Sequence, residues 1–114
     1  MNGHSLDTLA DEQLAKARGA RPGRSATTIH GGHEHALRQT LIALAGGRSL
    51  GEHESPGEAT LQVLRGRVTL HADGDTWEGG PGDFLLIPPV RHDLEALEDA
   101  AVLLTVAVGA VHDR

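Results

Sequence analysis

The 114-residue chain reads as an all-β barrel or sandwich preceded by one short helix. Three observations predict this. From about residue 25 the apolar residues fall into short extended runs separated by Gly, Pro and Asp turn signals. After the first 24 residues no further helical period appears. The tripeptide DGD at 73–75 sits between two such runs, where glycine makes a tight hairpin turn inexpensive.

The helix is expected over 5–18, SLDTLADEQLAKAR, with Ser5 as N-cap and Asp7 favouring the positive end of the helix dipole. Leu6, Leu9, Ala10, Leu14 and Ala17 form its apolar stripe, to be buried on the barrel or on a second subunit. RGARPGR, 18–24, then breaks regular structure. Residues 1–24 are thus helix and linker, and 25–114 the barrel.

Extended runs follow in order: SATTIH, ALRQTLIAL, ATLQVL, RVTLHA, TWE, FLLIPP, HDLEAL and AVLLTVAV. FLLI and AVLLTVAV are apolar at every position or nearly so. Such strands are expected to be covered on both faces, between sheets or at a subunit interface. AVLLTVAV and the helix stripe together predict a homodimer.

Composition excludes several classes. Net charge is −6, and there is one Trp, one Phe and no Tyr, which argues against nucleic-acid binding by a basic face or by base stacking. There is no cysteine, so disulfides and thiolate metal sites are excluded, in keeping with a reducing cytoplasm. No run of eighteen apolar residues and no signal-peptide pattern is present, so a soluble intracellular protein without membrane contact is expected. Arginine supplies nine of the ten basic residues, and alanine and glycine are abundant, a composition typical of GC-rich bacterial genomes.

The motifs narrow the class. Gly47 is followed by five residues, then His53, and Gly66 closes the segment; Gly82 leads through FLLI to Pro88 and His92. These spacings resemble the two motifs of the cupins, G-x5-H-x-H-x3,4-E-x6-G and G-x5-P-x4-H-x3-N, over roughly residues 37–108. The resemblance implies a double-stranded β-helix, or jelly-roll barrel, with a pocket between its sheets. It also implies that Gly47, Gly66 and Gly82 turn the chain with positive φ.

In metal-binding cupins, two histidines and a glutamate of the first motif join the histidine of the second around one ion. Here Ser55 stands at the second histidine position, Ala59 at the glutamate and Ala96 at the asparagine of the second motif. His53 and His92 remain as the expected metal ligands and pocket residues. Catalytic sites ordinarily use three protein donors. Alternation along a strand turns Glu54 and Glu58 away from the site. HGGHEH at 30–35 offers His33 and His35 as further donors, although histidines beside a Gly-Gly turn are ordinarily solvated. Gln39 and Gln62 are expected in the pocket, with Arg38 and Arg91 near it; Trp77 reads as a core anchor and Asp83 as turn chemistry.

The expected function is a bacterial small-molecule-binding cupin. It carries either a divalent Fe, Mn, Ni or Zn ion for dioxygenase- or isomerase-type chemistry or no metal. The alternatives are a metal-free epimerase or cyclase using a pocket histidine as base, and a non-enzymatic sensing module.

Overall fold

The computed structural model describes residues 1–54 and 57–109. Helix α1 (Leu6–Gly19) is followed by β1 (Arg24–His30), β2 (Leu37–Leu44), β3 (Glu58–Arg65), β4 (Val68–Ala72), β5 (Asp75–Gly79), β6 (Phe84–Leu86), β7 (His92–Ala96) and β8 (Ala100–Ala107). The strands form two antiparallel sheets, a five-stranded one in the order β1-β2-β8-β3-β6 and a three-stranded one in the order β5-β4-β7. Their facing sides enclose one core of Leu44, Ala59, Leu61, Val63, Val68, Leu70, Ile87, Leu94, Ala96 and Val102, with Trp77 packed against it.

α1 begins where Ser5 leaves helical geometry and its hydroxyl accepts a hydrogen bond from the Thr8 N–H, satisfying one of the orphan donors of the first turn. Its stripe is used within the chain. Ala10, Leu14 and Ala17 are buried against Leu41, Ala43 and Ala101 on the outer face of the five-stranded sheet. Gln13, buried beside them, accepts a hydrogen bond from the Ser25 hydroxyl. At the helix end Arg18 pairs with Asp99, whose other oxygen accepts from the Gly46 N–H.

The turns follow the glycines. Ala72 pairs with Asp75, leaving Asp73 (φ 51°) and Gly74 (φ 83°) as a two-residue hairpin turn. Gly47, Gly66 and Gly82 have φ of 86°, 73° and 90°. At Gly66 a Cβ would also stand 2.1 Å from the Asp99 carbonyl oxygen, so no other residue fits. Asp83 closes its turn through a 2.8 Å bond from the Gly80 N–H to its carboxylate.

Two expectations about coverage change. β8 is central, between β2 and β3, so AVLLTVAV is covered by the chain itself. FLLI is not covered on both faces: β6 is a three-residue edge strand, with Leu85 and Ile87 packed inward and Phe84 and Leu86 63% and 65% exposed. The outer face of β6 lies beyond the reach of α1, which sits over β1 and β2.

Candidate functional site

Between the sheets lies a cavity of about 60 Å³. It has room for a few waters or the body of a small ligand. Its walls are apolar: Leu61, Leu104 and Val106 with Ile42 on one sheet, Leu70 and Leu94 on the other, and Leu50 and Ile87 on the connecting segments. Its polar lining consists of His53, Glu54 and His92.

The backbone brings the two histidines together. The His53 N–H donates to the His92 carbonyl and the His92 N–H to the His53 carbonyl, each at 3.0 Å. Residues paired in this way stand directly opposite one another, with side chains on the same face. The segment that carries His53 is held by Gly51, whose φ is 87° and whose N–H donates to Asp93 at 2.9 Å. The ring centroids are 4.5 Å apart with planes at 67°, an edge-to-face pair. His92 is 3% exposed, whereas His53 lies at the surface.

Each ring is oriented by the same device. His53 Nδ1 is 2.9 Å from the Gly51 carbonyl, and His92 Nδ1 is 2.9 Å from the Val90 carbonyl. A carbonyl oxygen only accepts, so both Nδ1 atoms carry the proton. In the neutral rings both Nε2 atoms then keep their lone pairs. That is the tautomer needed to accept a hydrogen bond, take a proton or ligate a metal.

The remaining predicted residues do not converge here. Gln62 stands exposed on the outer face of β3, in register with Phe84, so it is not a pocket residue. Gln39 is also on an outer face, where its amide donates to the Thr105 hydroxyl at 3.2 Å, and it borders a hollow shared with Met1, His4 and His30. Both glutamines fall one residue out of step with the inward positions Ile42 and Leu61, and a shift of one residue moves a strand side chain to the other face. His33 and His35 are exposed in the β1–β2 turn, and the His35 ring packs on His30 at 4.4 Å rather than on the cavity. Arg91 is exposed and pairs with Glu52. Ser55 lies outside the described residues.

Glu54 corrects the sequence reading in the other direction. The segment before β3 is not a continuous strand; it meets β7 at two isolated bridges, Ser49 with Glu95 and His53 with His92. Strand alternation therefore does not govern it, and Glu54 borders the same cavity as His53. Glu58, at the exposed start of β3, does not.

Among the described residues no three His, Asp or Glu side chains are grouped to hold a metal ion. Ala59 and Ala96, where the motif resemblance expects a glutamate and an asparagine, are both buried. His53 and His92 supply two well-oriented nitrogens, short of the three donors of an ordinary catalytic metal site. No helix among the described residues is long and apolar enough to cross a membrane.

Comparison with known proteins gives a consistent result. A family model described as "Cupin domain" matches residues 40–108. No curated protein matches the chain. A conserved protein of unknown function from Streptococcus pyogenes superposes with a TM-score of 0.72 at 26% identity, over 81% of this chain and 80% of that one. A cupin superfamily protein from Desulfitobacterium hafniense gives 0.69 at 19% identity, over 75% and 77%. Salicylate 1,2-dioxygenase from Pseudoaminobacter salicylatoxidans gives 0.72 at 22% identity; the match covers 89% of this chain but only 31% of the dioxygenase, so the likeness is one of fold.

Proposed function

The chain belongs to the cupin family, and from that premise we propose that it is a small-molecule-binding cupin whose binding groups are the imidazoles of His53 and His92. One observation carries the reading: two rings paired across a single bridge, each with Nδ1 tied to a backbone carbonyl, at the edge of an apolar cavity. The oriented rings offer Nε2 as acceptor or base, and the aliphatic walls hold the rest of the ligand by excluding water. Glu54 adds a carboxylate at the rim.

The same orientation supports a second reading, in which His53 and His92 are the protein ligands of a divalent Fe, Mn, Ni or Zn ion. Histidine ligands characteristically donate their second nitrogen to a carbonyl or carboxylate, as both do here. When bound, the ion would supply Lewis-acid or oxygen chemistry, while the chain's part is to present the two nitrogens and keep the cavity dry. The cysteine-free, arginine-rich composition supports a bacterial cytoplasmic setting. The exposed Phe84 and Leu86 support a homodimer.

The test is a ligand and metal screen on three proteins: wild type, His53→Ala and His92→Ala. A compound or ion that raises the wild-type melting temperature should lose at least tenfold in affinity in both variants. A ligand whose affinity neither variant changes would place binding elsewhere on the molecule.

A further inference from the structure

A second hollow, of about 290 Å³, opens between edge strand β5 of one sheet and edge strand β6 of the other. Its apolar walls are Leu70 and Ala72 of β4, Trp77 of β5, Leu85 of β6, and Pro88 and Val90 just beyond β6. Its polar lining is Asp73, Asp75 and Thr76, with no basic side chain among them. Leu70 is the one residue it shares with the histidine cavity.

The hairpin register fixes what faces this space. Trp77 pairs with Leu70, and Asp75 with Ala72. Directly paired residues share a face of the sheet, and Leu70 and Ala72 belong to the core between the sheets. Trp77 and Asp75, two residues apart, therefore both belong to the inner face. The indole is laid along its own strand: a Cβ on Gly79 would meet its six-membered ring, at 2.7 Å from Cζ2. Gly79 has no left-handed φ, so the ring rather than the backbone requires glycine there. Neither Asp73 nor Asp75 forms an ion pair among the described residues. Arg91 borders a neighbouring hollow with both aspartates, and there it pairs with Glu52.

We infer that this hollow is a second binding site, for a small organic cation with an apolar body. The inference goes beyond the histidine site and does not rest on it. Leu70, Leu85, Pro88 and Val90 would take the body of the ligand out of water. The indole ring attracts a cation placed over its face. The two carboxylates at the lip set the sign of the charge: they favour a cation and repel an anion. A volume of about 290 Å³ holds one ring with a short chain. Asp73 and Asp75 are exposed, so solvent weakens their pull and the preference for a cation is modest and salt-sensitive.

Trp77 is the only tryptophan of the chain, so its emission reports on this hollow directly. The experiment titrates the full chain at neutral pH and low ionic strength with three molecules of similar shape and different charge: 3-phenylpropylamine, 3-phenylpropanamide and 3-phenylpropanoate. The amine should shift the emission saturably and bind at least about threefold more tightly than the amide, with the carboxylate weakest. Added salt should narrow the difference. The double variant Asp73→Asn, Asp75→Asn should bind amine and amide equally. Asparagine tolerates the positive φ of position 73 (51°), and a cooperative melting transition reports that the variant is folded. Equal binding of amine and amide by the wild type, tighter binding of the carboxylate, a preference that survives in the double variant, or no saturable change with any of the three would overturn the inference. So would an emission that shifts on dilution of the protein alone, which would show a second copy of the chain filling the hollow. An amine that moves the ring signals of His53 and His92 while the Trp77 emission stays fixed would overturn it too, and would leave the histidine site standing.

Discussion

Gly66, Ala59 and Glu54 illustrate three degrees of legibility at the scale of the residue. Gly66 was readable because its backbone admits nothing else: φ is 73° and the Asp99 carbonyl occupies the space of a Cβ. His53 and His92 were readable because motif spacing places them, and the bridge between them confirms that the spacing converges in space. Ala59 and Ala96 were readable as lost polar positions, and both are buried. Glu54 is not legible in the sequence, because the segment that carries it is not a strand and strand alternation does not hold there. Gln39 and Gln62 failed for the reverse reason. Both lie on true strands, but polarity near a strand centre does not say which face a side chain takes, and the neighbours Ile42 and Leu61 claim the inner face.

At the scale of the element, α1 shows how a helix with a modest apolar stripe is fixed to a barrel. Ala10 and Ala17 allow close approach to Leu41 and Ala43, and the two ends are tied by charge. Arg65 of β3 reaches Asp7 and Asp11 on the helix, and Arg18 reaches Asp99 between β7 and β8. The hydrogen bond from Arg18, with that from the Gly46 N–H, holds the Asp99 carboxyl below its ordinary value. A carboxyl whose pKa falls on folding adds stability above its unfolded value of about 3.9 and loses it as pH drops through the lower folded value. Asp99→Asn should therefore lower stability by about 0.5–1 kcal/mol at pH 7, a figure set by the exposure of the pair. The gap between wild type and variant should close below about pH 4. Urea denaturation at pH 7 and pH 3 measures both; a gap that persists unchanged at pH 3 would show that packing, not charge, distinguishes the two proteins. The helix boundaries themselves were legible to within one residue, because Ser5 and Asp7 mark the start and the Gly-Pro stretch marks the end.

At the scale of the whole molecule, the chain buries the two features that sequence alone suggested for dimer contacts. AVLLTVAV is the central strand of a sheet, and the helix stripe faces that sheet. The apolar surface left over lies instead on the outer face of edge strand β6, at Phe84 and Leu86, beside the uncharged Gln62 and Thr60 of β3. An edge strand with apolar residues facing water invites pairing with another chain. If the protein is the homodimer proposed, this face is where the copies meet. Light scattering on the double variant Phe84→Glu, Leu86→Glu should then give a monomer mass where the wild type gives twice that value, with the melting transition still cooperative. A variant that stays dimeric would move the interface away from β6. Sequence could not have made this assignment, since an apolar run does not reveal which of its faces the rest of the chain will cover.

If His53 and His92 form one binding site, both Nε2 atoms must be available to a ligand. Long-range proton–nitrogen NMR of the imidazole rings tests it most directly, at a pH where both rings are neutral. The expected result is protonated Nδ1 and unprotonated Nε2 in both rings, with the Nε2 signals of both moving when a ligand or metal binds. Protonation at Nε2 in either ring, or Nε2 signals that stay fixed while a ligand saturates the protein, would contradict it.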